Sequence, residues 1–144
     1  MQLTRYSDYS LRVLIYLTLE PDRLATIEDI ARSYDISKAH LMKVVHQLGL
    51  NGYLETVRGR GGGLRLARPP EEIAIGDVVR STEEKMNIVE CFDPASSQCA
   101  IEPVCGLRPV LHEALAAFLA VLDRYTLADL VARRRSPLAR LLAS

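Results

Sequence analysis

The stretch SKAHLMKVVHQLGLNGYLETVRGRGGGLRLA, residues 37–67 of this 144-residue chain, decides the predicted fold. Its first half predicts a helix that begins after Ser37, a residue type favoured at the N-cap, and ends at Gly49 and Gly52. Apolar residues recur in it at the i, i+3, i+4 and i+7 spacing of a single buried face. They are Leu41, Val44, Val45 and Leu48. The stretch therefore begins with an amphipathic helix.

A second short helix is predicted directly before this one. Thr26 and Asp29 form a capping-box pattern at its start, and Asp35 and Ile36 leave only a tight turn before Ser37. Two short helices joined in this way are typical of a helix-turn-helix, in which the later helix enters the DNA major groove. The polar and basic side chains on its solvent face are long enough to reach base edges and phosphates. The candidate DNA-binding residues are Ser37, Lys38, His40, Lys43 and Gln47.

The second half of the stretch predicts a β-hairpin. Residues 53–57 and 64–67 fit two short strands, and the glycine-rich connection between them carries Arg58 and Arg60. Glycine permits close backbone approach to a partner, and the two cations can meet phosphates or a minor groove. This pattern is typical of a wing, at about residues 53–67, beside a recognition helix. A nucleotide-binding phosphate loop is excluded because no Gly-Lys-Ser/Thr follows and the next segment is a strand. A flexible hairpin without a DNA role stays open.

Charge is distributed unevenly along the chain, although the formal net charge is zero. Residues 36–70 hold six basic side chains against one acid, whereas residues 71–113 hold three basic side chains against nine acids. A local basic surplus that is offset by an acidic region allows a DNA-binding protein to be neutral overall. Ordinary solvated charge is the alternative interpretation.

Composition favours a globular protein in a reducing compartment. Of all residues 49% are apolar, yet no apolar run approaches the roughly 18 residues of a membrane span. The N-terminal segment lacks the pattern of a signal peptide. The odd number of cysteines, three, argues against a secreted disulfide scaffold. We therefore expect a cytoplasmic protein without a membrane partner.

Helical patterns flank the stretch on both sides. Residues 4–19 and 73–84 each predict a helix, and a longer helix is predicted from Gly106 to about Tyr125. Within it, residues 114–122 (ALAAFLAVL) are apolar all the way round, so the helix must be covered on several sides. A second copy of the chain is the expected cover, which predicts a homodimer through this helix.

The predicted fold class is mainly α with a small β-hairpin. Residues 1–70 form a winged helix-turn-helix DNA-binding domain, and residues 71–144 hold a loop at 90–106, the dimerisation helix at 106–125 and a short C-terminal helix. That last helix is predicted to begin at Thr126, with Asp129 in its first turn, and to end before Pro137.

All three cysteines of the chain, Cys91, Cys99 and Cys105, fall within fifteen consecutive positions. They form no Cys-x-x-Cys motif, and no second cysteine pair completes a structural zinc site. Soft thiolates grouped on one loop suit an iron–sulfur cluster or a three-thiolate metal site. From the spacing alone a cluster is favoured, while zinc and incidental thiols stay open.

Motifs along nearly the whole chain resemble one family, the bacterial winged-helix regulators of the IscR and NsrR type, which bind iron–sulfur clusters. The matching segments, in order, are MQLTRYSDYSLRVLIYL (1–17), IARSYDISKAHLMKVVHQL (30–48), VRGRGGGLRLARP (57–69), IAIGDVVR (73–80), VCGLRPVLHEALAAFL (104–119) and YTLADLV (125–131). Within this family the chain looks most like the NsrR type, whose members sense nitric oxide. The resemblance implies a homodimer that reads an approximately palindromic double-stranded DNA operator with the third helix and the wing.

The resemblance also implies a ligand set. The three loop cysteines hold an iron–sulfur cluster, with 4Fe–4S favoured over 2Fe–2S. The IscR pattern has a histidine three residues beyond the last cysteine, but Arg108 stands there, and its guanidinium cannot ligate iron. His112, one turn further on, is a poor substitute. In the NsrR type an aspartate of the first helix completes the site from the other chain, and Asp8 matches that residue.

Asp8 of the partner subunit is therefore the implied fourth ligand, and Arg12 is implied to hold its carboxylate. An exposed ion pair between the two, at i and i+4, is the alternative interpretation. The spacing of seven residues between Cys91 and Cys99 is longer than in most relatives, so the cluster type stays open.

The resemblance implies that the chain is a repressor and that it releases its operator when nitric oxide attacks the cluster. A sensor of iron supply or redox state is the alternative within the same family. A thiol- or metal-dependent enzyme is disfavoured because the sequence has no convergent nucleophile–base motif. Two of its histidines, His40 and His46, fall on the predicted DNA face.

Overall fold

The computed structural model describes residues 2–132 and 134–142. Its helices and strands, in chain order, are α1 (Arg5–Leu19), α2 (Ile27–Tyr34), α3 (Lys38–Leu50), β1 (Leu54–Val57), β2 (Gly63–Leu66), α4 (Ile75–Thr82), α5 (Leu107–Asp123), α6 (Leu127–Ala132) and α7 (Arg135–Leu142). Short 3₁₀ turns lie at Pro70–Glu72, Glu90–Phe92 and Glu102–Val104. The predicted class, mainly helical with one β-hairpin, is confirmed. Among the described residues, no helix combines the length and apolar character that crossing a bilayer demands.

The turn between α2 and α3 has the predicted form. At the start of α2, the Asp29 backbone N–H donates to the Thr26 hydroxyl at 3.1 Å, and the Thr26 N–H donates to the Asp29 carboxylate at 3.0 Å. The hydrogen bond that the Thr26 hydroxyl donates to the Asp29 carboxylate, followed by the one from the Thr26 N–H, lowers the pKa of Asp29. At the end of α2, Asp35 adopts a left-handed conformation with φ of 52°, which reverses the chain before Ser37. The capping box and the tight turn are thus confirmed.

The hydrophobic core lies between α1, α3, α4, the hairpin and α6. The predicted apolar face of α3 is buried throughout, and it packs against Val13, Leu14 and Leu17 of α1. Each fully buried aliphatic side chain of this kind stabilises a fold by about 1.5–3 kcal/mol relative to its exposed state. The core therefore fixes α3 with its polar face outward.

The hairpin is antiparallel, with Leu54 opposite Leu66 and Thr56 opposite Leu64. It is attached to the helical part through Ala25, which exchanges two backbone hydrogen bonds with Leu64, at 2.7 and 3.1 Å. A Cβ on Gly63 would lie 2.8 Å from the Ala25 carbonyl oxygen, so this close approach requires glycine. The hairpin is thereby held beside the segment that precedes α2.

The helix predicted at 73–84 is present as the shorter α4, with Ile75, Val78 and Val79 buried as expected. The predicted long helix is present as α5, which packs against α4 at its C-terminal end. Arg80 makes a two-pronged ion pair with Asp123, at 2.7 and 2.6 Å. No residue of α5 is buried within the single chain.

The C-terminal prediction was wrong in one respect. The capping pattern of Thr126 and Asp129 is present at the start of α6, and α6 ends at Ala132, before Pro137, as predicted, but it is not the final helix. A further helix, α7, contains Pro137 in its first turn. Proline is tolerated there because the backbone N–H that it lacks has no partner within a helix at that position.

Candidate functional site

The solvent face of α3 carries the predicted DNA-binding residues. Ser37, Lys38, His40, Lys43 and Gln47 are all exposed. Ser37 occupies the N-cap position as predicted, yet its hydroxyl makes no hydrogen bond to the first turn of α3. Gln47 donates to the side chain of Asn51 at 3.3 Å. The Ser37 hydroxyl and the backbone N–H groups at the N-terminus of α3 are therefore available to a phosphate, as in other helix N-termini that contact DNA.

Lys38 has an acidic partner that sequence reasoning missed. Its Nζ lies 2.5 Å from Oε2 of Glu28 on α2, and this contact lowers the pKa of Glu28. Among the described residues, Lys43, Arg58 and Arg60 make no ion pair. The cations predicted to bind DNA thus differ: Lys38 is paired with a carboxylate of the protein, and the other three, in the residues that the structure describes, are not.

The tip of the wing presents its two arginines to solvent. Arg58 and Arg60 alternate with Gly59 and Gly61, which have φ of +102° and +77°, values that favour glycine. A Cβ on Gly62 would lie 2.2 Å from the Val57 carbonyl oxygen, so a side chain there would open the tip. The glycines therefore allow a compact tip in which both guanidinium groups remain exposed.

The three cysteines lie on the cysteine loop, residues 90–106, between α4 and α5. All three are free thiols; Cys91 is buried, and Cys99 and Cys105 are partly buried. Within the described residues, no three His, Cys, Asp or Glu side chains are gathered at metal-binding geometry. The single chain thus places three soft ligands on one loop without closing them into a coordination sphere.

Side-chain contacts within the cysteine loop, and between the loop and α5, hold its conformation. Glu102 pairs with Arg108 at 3.2 Å and accepts a hydrogen bond from the Ser97 hydroxyl at 2.5 Å. Arg108, which stands where the IscR pattern has histidine, is thus engaged with a carboxylate. His112 stacks on Phe92, with ring centroids 3.9 Å apart. Arg108 is therefore held in an ion pair, and His112 is held in an aromatic stack.

A further ion pair joins the start of the loop to the segment before it. Lys85 contacts Asp93 at 3.0 Å, and the Asp93 carboxylate also accepts from the Ala95 backbone N–H at 3.2 Å. The hydrogen bond from Lys85, followed by the one from Ala95, lowers the pKa of Asp93. Asp93 is therefore occupied in shaping the turn after Cys91.

Asp8 lies on α1 and is paired with Arg12. The guanidinium group contacts both carboxylate oxygens, at 2.8 and 3.1 Å, and lies 5.9 and 5.8 Å from the ring centroids of Tyr9 and Tyr34. Both members of the pair are about 40–45% exposed, so the carboxylate is accessible from outside the chain. The aromatic rings restrict Arg12, which in turn orients Asp8.

A second connection missed by sequence reasoning joins α1 to the loop region. One oxygen of Glu83, the residue that caps α4, accepts hydrogen bonds from the Thr4 backbone N–H and from the Thr4 and Ser7 hydroxyls. Ser7 is buried and also contacts the Thr82 hydroxyl at 2.8 Å. The start of α1, which carries Asp8, is therefore fixed to the segment that leads into the cysteine loop.

The donor set fits an iron–sulfur cluster in its chemistry. Three free thiols on one loop could supply soft ligands, and an accessible carboxylate on α1 could supply a harder one. Cys91, Cys99 and Cys105 are the residues that can hold such a group within one chain.

A sequence profile of the Rrf2 family, described as "Iron-dependent Transcriptional regulator", matches residues 3–133. The chain belongs to the Rrf2 family. It is 63% identical over 132 residues to the HTH-type transcriptional regulator NsrR of Bacillus subtilis, a match that covers 91% of this chain and 90% of that protein.

Solved Rrf2-type structures share the fold. CymR, described as the global cysteine regulator of B. subtilis, superposes with a TM-score of 0.73 at 25% identity, covering 92% of this chain and 98% of that one. The T. potens IscR structure has a TM-score of 0.75 at 22% identity, covering 92% and 88%. The chain is thus a winged-helix, DNA-binding transcriptional regulator and not an enzyme.

Proposed function

We propose that this Rrf2 protein is a repressor that senses nitric oxide through an iron–sulfur cluster and releases its operator in response. The observation that carries the proposal is the concentration of every cysteine of the chain, as free thiols, on the single loop between α4 and α5. The relatives named NsrR, and the resemblance of the chain to the NsrR type, support nitric oxide as the effector.

Cys91, Cys99 and Cys105 of one chain would hold the cluster, together with Asp8 of the partner subunit. A 4Fe–4S cluster is favoured over 2Fe–2S, by resemblance. When bound, the cluster supplies iron that reacts with nitric oxide. A carboxylate is a harder ligand than thiolate for such iron, which makes Asp8 the weakest of the four ligands.

Residues of α1 couple the proposed cluster site to the DNA-binding helix α3. In this proposal Asp8 can bind either the cluster of the other chain or Arg12 of its own helix. A guanidinium nitrogen of Arg12 lies 2.8 Å from the Asp8 carboxylate. α1 carries Asp8, is fixed at its start by Glu83, and packs directly on α3 through the core. A change in the partner of Asp8 therefore acts on the helix that supports the recognition helix.

The proposed dimer is supported by the exposure of α5. Val110, Val121 and Leu107 of this helix are 57%, 44% and 59% exposed, and Val104 just before it is 86% exposed. Apolar surface of this extent on one helix is typical of an interface. Two chains related by a two-fold axis would present two α3 helices to an approximately palindromic operator.

DNA contacts in this proposal come from α3 and the wing. Ser37, Lys38, His40, Lys43 and Gln47 face the major groove, and Arg58 and Arg60 meet the backbone or the minor groove. The three cysteines and Asp8 are not among these DNA-binding residues. Nitric oxide sensing and DNA binding therefore use different residues of the chain. A coupling of about 1–3 kcal/mol between them changes DNA affinity about 5- to 150-fold.

The test is an anaerobic titration of nitric oxide into cluster-loaded protein bound to a fluorescent operator duplex, recovered beforehand by selection from random-sequence DNA. Visible absorbance reports the cluster, and anisotropy reports DNA binding. We expect both signals to fall together. Unchanged DNA affinity while the absorbance collapses would contradict the proposal.

A sensor of iron supply is the second candidate, because the family description names iron dependence. In that case, removal of iron by a chelator would change DNA affinity, and nitric oxide would act no faster than iron loss. The same anisotropy assay distinguishes the two functions.

A further inference from the structure

The ion pair between Lys38 and Glu28 bridges the two helices of the helix-turn-helix. Lys38 is the first residue of α3, and Glu28 lies in the first turn of α2. The side chains are 57% and 68% exposed, so a DNA phosphate has free access to the ammonium group that Glu28 contacts. The pair therefore lies on the exposed surface that we propose faces DNA.

Neighbouring charges leave Glu28 available to Lys38. Arg32, one turn further along α2, is paired with Asp29 at 3.1 Å. The hydrogen bond from Lys38, followed by the charge of Lys38, is the main reason why the pKa of Glu28 is lowered; Arg32 contributes less, and Asp29 opposes the shift. Glu28 is thus ionised at neutral pH and has one main cationic partner.

A phosphate that approaches Lys38 meets this carboxylate. The ammonium group has three donors, so it can turn to the phosphate, but the two anions then repel each other unless Glu28 moves away. Either outcome lowers the gain in affinity that Lys38 brings. Lys43, Arg58 and Arg60 face no such competition, since none of them has an ion pair within the described part of the chain.

We propose that Glu28 sets the DNA affinity of the protein by competing with the DNA backbone for Lys38. This inference rests on the proposed contact between Lys38 and DNA. Because phosphate contacts carry no sequence information, Glu28 weakens binding to operator and to other DNA alike. A regulator that must release DNA on a signal benefits from an upper limit on that affinity.

The experiment measures the affinity of the protein for a random-sequence duplex of about 30 base pairs by anisotropy over a range of salt concentrations. Four proteins are compared with the unaltered one: Glu28→Gln, Lys38→Gln, the double variant, and Glu71→Gln. Glu71 is an exposed acid in the Pro70–Glu72 turn, so its replacement makes the same change in net charge without freeing a lysine.

We expect Glu28→Gln to tighten binding about two- to fivefold, the range that exposed ion pairs are worth. It should also steepen the dependence of log K on log salt by up to about one unit. Glu71→Gln should change the affinity by less. In the Lys38→Gln background, Glu28→Gln should have no effect beyond that of Glu71→Gln.

Two results would overturn the inference while leaving the proposed contact between Lys38 and DNA in place. One is an equal effect of Glu28→Gln and Glu71→Gln; the other is a tightening by Glu28→Gln that persists without Lys38. If Lys38→Gln alone leaves both affinity and salt dependence unchanged, the Lys38 contact is absent, and the inference falls with that part of the proposed function. Thermal melts confirm that each variant is folded.

Discussion

One carboxylate oxygen of Glu83 accepts a hydrogen bond from the backbone N–H of Thr4 at 2.8 Å, across 79 positions of sequence. The same oxygen accepts from the Ser7 hydroxyl at 2.5 Å. An anion at this place satisfies donors at the start of α1 and complements the positive end of its dipole. A residue at the end of α4 thus acts as a cap for a helix far away in sequence.

We predict that Glu83→Ala lowers the free energy of unfolding by about 1–2 kcal/mol, the usual cost of losing a helix cap. Urea denaturation of the purified protein measures it. Glu84→Ala is the matched control, because Glu84 is the exposed neighbour of Glu83. Equal stability of the two variants would show that the Glu83 contacts contribute nothing.

Removal of the wing arginines should weaken DNA binding without loss of stability. Arg58→Ala and Arg60→Ala each delete an exposed cation, so each should reduce the salt dependence of log K by about one unit. Arg140→Ala, an exposed arginine on α7, is the control and should leave DNA affinity nearly unchanged. If the wing variants bind DNA as the control does, the wing does not contact the backbone.

Gly76 accommodates the ion pair between α4 and α5. A Cβ at this position would lie 1.8 Å from Oδ1 of Asp123, so Gly76→Ala must push Asp123 away from Arg80. Because this ion pair is exposed, its loss offsets the gain from the better helix former, and we predict that Gly76→Ala does not stabilise the wild-type protein in thermal melts. In the Asp123→Ala background the same change should instead stabilise it by up to about 1 kcal/mol, because alanine is the better helix former. Destabilisation in both backgrounds would contradict this explanation.

Tyr34 makes stability depend on alkaline pH. Burial raises its pKa from 10.0 to about 12, with Arg12 opposing the shift. The folded state thus favours the neutral phenol, and its contribution is complete below pH 10 and is lost as the pH rises towards 12. We predict that the melting temperature of the wild type falls more steeply over this interval than that of Tyr34→Phe. Parallel curves for the two proteins would refute the assignment to Tyr34.

The sequence was sufficient where structure depends on local pattern. The apolar face of α3, the capping box of α2 and the alternation of Leu64 and Leu66 in the wing are local signals, and all were confirmed. The ion pair of Asp8 and Arg12 also follows from the i, i+4 spacing.

Contacts between distant segments could not be read from the sequence. Glu83 appears as one of several surface acids until the fold brings it to Thr4, and Glu28 and Lys38 meet only because the α2–α3 turn is tight. The extra helix α7 was missed because Pro137 was interpreted as a stop, although proline fits the first turn of a helix.

The most direct test of the account concerns the three thiols. The operator affinity of protein in which Cys91, Cys99 and Cys105 are all replaced by alanine is measured anaerobically before and after addition of nitric oxide, beside the cluster-loaded wild type. The account predicts that nitric oxide releases the wild type from the operator, and that the variant binds the operator more weakly, with an affinity that nitric oxide leaves unchanged. Release of the variant by nitric oxide to the same extent as the wild type would contradict it.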